Sequence, residues 1–414
     1  MSSPVSPSDS VDANPPREPA SPAQTVARPR LDSVDLLRGM IMVLMALDHV
    51  RDFVPVGNFD PLDLGKTTPA LFLTRWITHF CAPVFTFLAG TGAYLALTRG
   101  KTKRELSWFL FSRGLWLAFL EVTWVRCIGW NFGIDFHFVG VGTLWSIGWS
   151  MVVLSALVFL PTWAVTAFGV VMIATHNAFD WVKPESLGSF GWLWKVLHAN
   201  GSFKVAPGFE FGIGYALIPW MGVVAAGYGF GALFMLTPDR RRKLLLGLGV
   251  AAVLVFVALR WTNTYGDYKA RPWEAQKDFL FTIFSFVDLH KYPPSLLYLL
   301  MTLGPAFIVL AFLDRGTSRV LQPILVFGRV PLFYYLLHLP LIHGLAVVVA
   351  YARFGHADWL LGSPFNWAAA PPGASFSLAI VYLIWIGVVL LLYPVCRWFA
   401  EVKRRRRDAW LSYL

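Results

Sequence analysis

Residues 36–92 decide the fold of this chain, and they read LLRGMIMVLMALDHVRDFVPVGNFDPLDLGKTTPALFLTRWITHFCAPVFTFLAGTG. The stretch holds two apolar runs, each long enough to cross a bilayer as a helix. Five ionisable residues lie within these runs: Arg38, Asp48, His49, Arg75 and His79. Ionisable side chains are costly in hydrocarbon, usually face a protein interior or a water-filled cavity, and mark a functional site by default. We therefore expect a polar site between the first two spans, with the rest of the chain as its scaffold.

The composition predicts an all-α, polytopic bundle of membrane helices. The chain has 414 residues, of which 56% are hydrophobic and 14% charged, whereas a typical soluble domain is about 25% charged. Its mean hydropathy is +0.57. The positive residues behind the net charge of +11 lie in short clusters between apolar segments. They do not form the basic surface of a known nucleic-acid-binding motif, so nucleic acid is not an expected partner. The three cysteines lack metal-ligand spacing, and neither a disulfide framework nor a metal site is predicted.

The apolar segments divide the chain into about ten transmembrane helices. Residues 1–30 are rich in Pro, Ser and Ala and are predicted to be a disordered tail; residues 31–402 form the membrane domain, and residues 403–414 a basic cytoplasmic tail. The predicted spans are 33–54, 70–98, 105–126, 142–160, 162–178, 211–236, 243–261, 294–313, 328–351 and 377–400.

The basic clusters predict the orientation of these spans. With the N-terminus inside, every strong cluster of Lys and Arg falls on one side of the bilayer, as the positive-inside rule requires. These clusters lie near residues 28–30, 99–104, 240–243, 315–319 and 403–407. An even number of spans then places both termini in the cytoplasm.

Helical geometry arranges the polar residues of the first two spans by face and depth. Arg38 and His49 are eleven residues apart, so they share a face at about 20° and are separated by roughly 16 Å of rise. In the second span, Arg75 and His79 share a face with Pro83, which is expected to kink the helix and free a carbonyl. We expect His49 and His79 to meet in the outer half of the bilayer. Asp48 and Asp52 flank His49 and are expected to orient it.

The residues alone leave two classes of function open. A permanent cation at one depth and an imidazole at another suit an enzyme that holds a phosphate-rich donor and moves a proton or an acyl group. They suit a proton-coupled transporter equally well. Simpler readings also exist, since Arg38 can snorkel to lipid headgroups and each His can just bridge two helices.

The first helix, LDSVDLLRGMIMVLMALDHV, resembles the opening helix of the membrane acyltransferases, in which the Arg38-x10-His49 spacing matches the R-x10-H pattern of the acyltransferase-3 group. The chain more closely resembles the bacterial DUF1624 proteins, which are related to the catalytic domain of heparan-alpha-glucosaminide N-acetyltransferase. The resemblance is carried by four further blocks: RWITHFCAPVFTFLAGTGAYL (75–95), YALIPWMGVVAAGYGFGALF (215–234), KYPPSLLYLLMTLGP (291–305) and VFGRVPLFYYLLHLPLIHG (326–344).

This resemblance implies transfer of an acyl group, usually acetyl, from cytoplasmic acyl-CoA to an extracytoplasmic sugar hydroxyl or amine, with a membrane His as base or acyl carrier. It implies that the protein lies in the bacterial inner membrane and that acyl-CoA and a glycan or other small-molecule acceptor are its partners. It leaves open whether the protein forms a homodimer. In heparan-alpha-glucosaminide N-acetyltransferase, a lysosomal enzyme, the catalytic His lies in the loop after the first helix, before an Asp-x-x-x-Pro element. Here that loop has no His, and His79 replaces the Asp of the element, four residues before Pro83. The departure favours a mechanism centred on His49.

The helical geometry and the family resemblance together give the expected site residues. We expect catalysis by His49 with His79 and Asp48. Donor binding is expected at Arg38, Arg329 and His338, and acceptor binding at Arg75, Lys291, Tyr292 and Ser295. The buried Glu121 needs a partner at its depth, for which Arg126 and His49 are the candidates.

Overall fold

The computed structural model describes residues 31–134, 136–267, 271–316, 318–362, 369–406 and 408–414, so the predicted tail at residues 1–30 lies outside the described residues. The described part is mostly helical. Its α-helices are α1 (Asp32–Phe53), α2 (Pro69–Ile77), α3 (Cys81–Thr98), α4 (Lys103–Leu120), α5 (Thr143–Leu157), α6 (Thr162–Thr175), α7 (Gly191–Trp194), α8 (Leu217–Phe230), α9 (Pro238–Thr262), α10 (Phe279–Val287), α11 (Leu296–Leu313), α12 (Gln322–Arg329), α13 (Pro331–Phe354) and α14 (Leu378–Arg405).

Each of the ten predicted spans overlaps one helix or a series of consecutive helical segments, and the sixth also includes part of a strand. Within the described residues, seven helical segments have the length and hydropathy of a span. They are Pro69–Thr98, Thr162–Phe179, Leu217–Met235, Pro238–Thr262, Leu296–Leu313, Pro331–Phe354 and Leu378–Arg405. The total of ten spans and the cytoplasmic location of both termini stay predictions.

Helix α1 lies at the centre of the bundle and packs against α3, α11, α12, α13 and α14. Its approach to α12 depends on two glycines. A Cβ atom at Gly39 would overlap the Ile324 carbonyl, and one at Gly328 would overlap the Asp35 carbonyl. Small residues let two helix backbones approach closely in a membrane bundle. This contact fixes the N-terminal end of α1 beside the end of α12.

Helix α4 continues as a π-helical segment, Glu121–Trp130. A π-helix is rare and often lies at a functional site. The wider turn ends in a short loop that leads into strand β1 (Phe138–Val141). The third predicted span therefore extends to Trp130, four residues beyond its expected end.

A three-stranded sheet, absent from the all-α prediction, joins the segments on either side of the fourth and fifth spans. Strand β3 (Phe209–Ile213) pairs in parallel with β1 and antiparallel with β2 (Gly201–Ala206). The sixth predicted span, 211–236, is wrong at its start, because residues Phe209–Ile213 form β3 and the helix begins at Leu217. A short apolar run that precedes a helix cannot be told from helix by hydropathy alone.

Candidate active site

His49, which lines a cavity, forms a close pair of titratable groups with His338 behind it. His49 Nδ1 lies 2.8 Å from His338 Nε2, and the two rings stack with centroids 5.0 Å apart. His338 is fully buried, and its Nδ1 lies 2.9 Å from the Tyr334 carbonyl oxygen. Helix α1 supplies His49 from its last turns, and α13 supplies His338 from its second turn.

These contacts fix the tautomer of both rings when both are neutral. A carbonyl oxygen only accepts, so His338 Nδ1 carries a proton and donates it to Tyr334, which leaves His338 Nε2 as an acceptor. His49 must then donate from Nδ1 to His338 Nε2. The remaining nitrogen of His49, Nε2, carries a lone pair. His49 is half-buried and lines the cavity, so this lone pair belongs to a residue that a substrate can reach.

Aromatic side chains hold the His49 ring in place. Trp130 and Tyr335 contact it edge-on, at centroid distances of 5.5 and 6.0 Å.

A hydrogen bond links the π-helical segment to α13. Pro340 lies within α13, and its missing N–H frees the carbonyl four residues earlier. That carbonyl, of Leu336, accepts a hydrogen bond from the Trp124 indole at 2.9 Å. The π-helical segment is therefore tied to the helix that carries His338.

Asp48 is the centre of a buried ion cluster. Its carboxylate accepts hydrogen bonds from Arg51 and Arg75, each at 2.9 Å, and from Thr78 at 2.8 Å, and it lies 3.8 Å from Lys291 Nζ. The expected orienting contact between Asp48 and His49 is not present among the described residues. His338 supplies that contact instead, because the Asp48 carboxylate is directed toward the cations.

Asp52 adds a second carboxylate to the cluster through an ion pair of 2.7 Å with Arg51. The cluster thus joins three cations to two carboxylates, and it keeps one positive charge. Three of its members, Asp48, Asp52 and Lys291, also line the cavity. The cavity wall therefore offers two carboxylates and one ammonium group to a ligand.

The cavity beside His49 has a volume of about 570 Å³, within the roughly 300–1,000 Å³ of small-molecule sites. Its walls come from the end of α1, the π-helical segment, the strands β1, β2 and β3, the start of α5, one residue of α13, and the residues before α8 and α11. Gly140 and Gly212 are register partners in the sheet, and both line the cavity. A Cβ atom at either position would meet the Phe138 ring, so the two glycines make room for this aromatic side chain in the cavity wall.

Asn131 is a cavity residue that the sequence analysis missed. It directly follows the π-helical segment, is 3% exposed, and its Nδ2 has no hydrogen-bond partner among the described residues. Buried amide groups are nearly always hydrogen-bonded in folded proteins. Because Nδ2 itself has almost no accessible surface, it reaches an acceptor atom of a ligand only when the side chain turns toward the cavity that Asn131 lines. Its position at a span end next to Trp130 was the available signal.

Lys291 and Tyr292, both predicted to bind the acceptor, line the cavity. Lys291 Nζ lies 5.1 Å from the centre of the Tyr292 ring. Burial would raise the pKa of Tyr292, but the positive charges of Lys291 and Arg75 lower it below its ordinary value. Tyr292 is thus placed as a hydrogen-bond donor with an acidity above that of an ordinary phenol.

Two other predicted acceptor residues lie elsewhere. Ser295 is 1% exposed, and its hydroxyl accepts a hydrogen bond from the Tyr298 N–H as the cap of α11. Arg75 belongs to the Asp48 cluster and is outside the cavity lining. Ser295 is thus held in place as the cap of α11, and Arg75 is held by the buried carboxylate of Asp48.

His79 is buried away from His49, and the two share neither a hydrogen bond nor a ring contact within the described part of the chain. The predicted meeting of these residues is therefore not observed. The carbonyl freed by Pro83 is present, as expected: it belongs to His79 and accepts a hydrogen bond of 2.7 Å from the Tyr298 hydroxyl. The irregular turn Thr78–Phe80 separates α2 from α3 at this point.

The predicted donor-binding residues Arg38 and Arg329 lie together at the N-terminal end of α1. Arg38 donates to Asp35 at 2.9 Å and to the Gly328 carbonyl at 3.3 Å, next to Arg329 in the chain. Arg329 in turn lies 3.3 Å from Asp32. His338, the third predicted donor residue, pairs with His49 instead.

Glu121 has a different partner from those expected. Its carboxylate oxygens accept hydrogen bonds from the backbone N–H groups of Gly142 at 2.8 Å and Leu144 at 3.0 Å. Glu121 thus satisfies the free N–H groups at the start of α5. Arg126 donates instead to the Phe138 carbonyl, at 2.8 Å from Nη2. The guess of Arg126 or His49 as the partner of Glu121 is wrong, because the unpaired N–H groups of α5 lie closer.

Comparison with known proteins gives one family. The family model for the catalytic region of heparan-alpha-glucosaminide N-acetyltransferase matches residues 30–262. A search of curated proteins found no match. The matched region carries Arg38, His49 and Asn131, and it ends at the last residue of α9. The match extends over more than half of the chain, which therefore belongs to the heparan-alpha-glucosaminide N-acetyltransferase catalytic-domain family.

Proposed function

We propose that this protein is an integral-membrane acyltransferase that moves an acyl group, acetyl in the first instance, from cytoplasmic acyl-CoA to an extracytoplasmic sugar or glycan acceptor. The observation that carries the proposal is the hydrogen-bonded series from His49 through His338 to the Tyr334 carbonyl, which leaves the His49 Nε2 lone pair at a cavity. The family membership supports an acetyltransferase reaction, and His49 supplies the group that such a reaction needs.

In the direct route, His49 Nε2 takes the proton of the acceptor hydroxyl or amine as its oxygen or nitrogen attacks the thioester carbonyl. The carbon–sulfur bond breaks, and CoA leaves as a thiolate that takes up a proton. The imidazolium formed at His49 donates from Nδ1 to His338, and the Asp52 carboxylate, one turn away on α1, stabilises its charge. Asn131 Nδ2 donates to the carbonyl oxygen as negative charge develops there.

In the carrier route, His49 Nε2 attacks the thioester itself and holds the acyl group as an acyl-imidazole until the acceptor displaces it. Both routes use the same nitrogen. Rapid chemical quench of the protein with labelled acetyl-CoA separates them, because only the carrier route leaves label on His49.

The donor enters, in this proposal, at the end of the bundle where Arg38 and Arg329 lie. The two guanidinium groups bind the phosphates of CoA through charge-assisted hydrogen bonds, and they exchange Asp35 and Asp32 for those phosphates. Arg38 and His49 are separated by roughly 16 Å of helical rise, which the extended pantetheine arm spans. In this proposal the protein lies in a bacterial inner membrane with both termini in the cytoplasm.

The acceptor occupies the cavity of about 570 Å³. Trp130 and Tyr335 offer aromatic faces to the apolar side of a sugar ring, while Lys291 and Tyr292 offer hydrogen bonds to its hydroxyl groups. The ammonium group of Lys291 suits an anionic substituent on the acceptor.

The experiment is acetyl transfer by the purified protein in detergent with labelled acetyl-CoA. We expect slow hydrolysis of acetyl-CoA without acceptor, and a loss of about 10²–10⁴-fold in His49→Ala. His356→Ala is the matched control, because His356 is half-exposed beside Asp358 and lies outside the cavity lining. A folded His49→Ala protein with full activity would refute the assignment. A wild-type protein that neither hydrolyses acetyl-CoA nor is stabilised by it would favour proton-coupled transport.

A further inference from the structure

A second cluster of titratable side chains lies apart from the cavity, at the end of α6. His176 directly follows this helix, Asp180 lies one turn later, and His198 lies in the π-helical turn Lys195–Ala199 before β2. One metal-ligand atom from each residue lies within 4.8 Å of the other two. The sequence spacing gave no sign of this cluster, because the fold brings together residues about twenty positions apart.

The two imidazoles of this cluster are buried with nitrogens that lack a well-formed hydrogen bond. His176 and His198 are each 2% exposed. Both ring nitrogens of His176, and Nδ1 of His198, form no hydrogen bond of good geometry among the described residues, although His176 also interacts with the backbone of Pro294. Buried polar atoms are almost always hydrogen-bonded, so three such atoms in one place require an explanation such as an ion.

Neighbouring residues hold two of the three side chains, Asp180 and His198, in position. Asn177 donates to Asp180 Oδ2 at 2.9 Å and accepts from the Leu296 N–H at 2.8 Å, which ties the carboxylate to the start of α11. The Trp194 ring lies 4.8 Å from that of His198, and its indole donates to the Val182 carbonyl. Hydrogen-bonded partners of this kind orient the ligands of metal sites.

We propose that His176, Asp180 and His198 bind a divalent transition-metal ion of the zinc class. Two imidazole nitrogens and one carboxylate oxygen form a donor set that zinc takes at about 2.0–2.2 Å in four-coordinate sites. Ligand atoms around such an ion lie about 3.3 Å apart, and His198 Nε2 and Asp180 Oδ1 already lie 3.0 Å apart. The ion replaces this hydrogen bond, and the part-exposed side of Asp180 admits a water molecule as the fourth ligand.

The ion has a mechanical role in this position. His198 lies three residues before Gly201, and Gly201 and Ser202 of β2 line the cavity beside His49. The metal joins the segment that leads into this strand to the end of α6. With neutral imidazoles and an ionised Asp180, the site keeps one positive charge of the ion. The ion thus holds one wall of the cavity in place without taking part in acyl transfer.

Zinc binding to the full-length protein in detergent tests the proposal. The protein is purified with a tag that contains no histidine, stripped with a chelator, reloaded with Zn²⁺ and washed, and its zinc content is measured by mass spectrometry. We expect one zinc ion per chain and a higher melting temperature with zinc. His176→Asn and His198→Asn should bind zinc about 100-fold more weakly or worse, whereas the control His356→Gln should bind it like the wild type.

Asp180→Asn separates a metal ligand from a structural residue. The amide keeps the size of the side chain and can bond to His198, so the zinc-free melting temperature should stay unchanged while zinc affinity falls. Wild-type protein that retains no zinc after reloading would overturn the proposal, as would variants with unchanged affinity. If the His variants do not fold, Co²⁺ loading of the wild type decides, because a four-coordinate site gives intense visible absorption and a protein without the site gives none.

Discussion

The hydrogen bond between His49 and His338 can be tested by two substitutions of His338, Gln and Asn, which differ in length by one methylene group. Gln at position 338 places its terminal amide oxygen near the site of the His338 Nε2, where it can accept from His49 Nδ1. Asn is shorter and places its amide near Nδ1, where it can donate to the Tyr334 carbonyl but cannot reach His49. The two variants therefore keep opposite halves of the series from His49 to Tyr334.

The expected loss follows from the charge that His49 acquires during the reaction. A hydrogen bond to a charged group contributes about 1.5–3 kcal/mol, which corresponds to about 10- to 150-fold in rate. His338→Asn should therefore lower kcat/KM for acetyl-CoA by about this factor, while His338→Gln should stay within a few-fold of the wild type. The assay is acetyl-CoA hydrolysis or transfer by purified protein, with melting temperatures as the control for folding. Equal activities of the Asn and Gln variants, at matched stability, would refute the assigned direction of the hydrogen bonds.

Four further predictions concern other parts of the protein. Asn131→Leu should lower kcat about 10²-fold without lowering the melting temperature, because its amide Nδ2 has no partner to lose; a wild-type kcat would exclude Asn131 as a donor to substrate. Arg38→Gln should raise the KM for acetyl-CoA about tenfold, in line with the loss of one charge-assisted hydrogen bond, and leave the KM for an acyl-pantetheine that lacks phosphates unchanged; an equal rise for both donors would contradict phosphate binding. Asp48→Asn should destabilise the protein by about 3–5 kcal/mol, since it leaves the buried cations uncompensated, and adding Arg75→Met should restore part of the loss in melting temperature. Burial raises the pKa of Asp267 from 3.8 to about 7. The folded state therefore retains a proton that the unfolded state releases, and stability falls as pH rises through this window. Asp267→Asn should make the melting temperature less dependent on pH between 5 and 7, and an unchanged slope would contradict this origin.

The helices were predictable because length and hydropathy are local properties of the sequence. Each run of about twenty apolar residues, as in Pro331–Phe354, coincides with a helix. The freed carbonyl of His79 was predictable for the same reason, since a proline removes a hydrogen bond at a fixed distance along its own helix.

The sheet was not predictable, because its pairing joins β1 to residues about seventy positions later. FEFGI at 209–213 has no marker that separates it from the apolar helix that follows. The walls of the cavity therefore come from segments that the sequence analysis assigned to loops or to the start of a span.

The partner of His49 was not predictable from helix faces. The periodicity of α1 places His49 on a face with Arg38, but it does not say which neighbouring helix lies opposite. The rotation of α13, set by side-chain packing and by the Trp124–Leu336 hydrogen bond, turns His338 toward His49. The same limit explains why Asp48, adjacent in the chain, was assigned to His49 although it points to Arg75 and Lys291.

The direction of the hydrogen bonds leaves His49 a single lone pair, on Nε2, that can accept a proton or an acyl group. An acyl group held at Nε2 occupies that lone pair, and Nδ1 already donates to His338. In the carrier route the acceptor must then lose its proton to a different base during the second half of the reaction. Of the nearby carboxylates, Glu121 caps α5 and Asp48 contacts three cations, whereas Asp52 pairs, among the described residues, only with Arg51 and lines the cavity, so Asp52 is the carboxylate for that step. A carrier mechanism therefore uses Asp52 as a base, whereas a direct mechanism uses it only to stabilise the imidazolium.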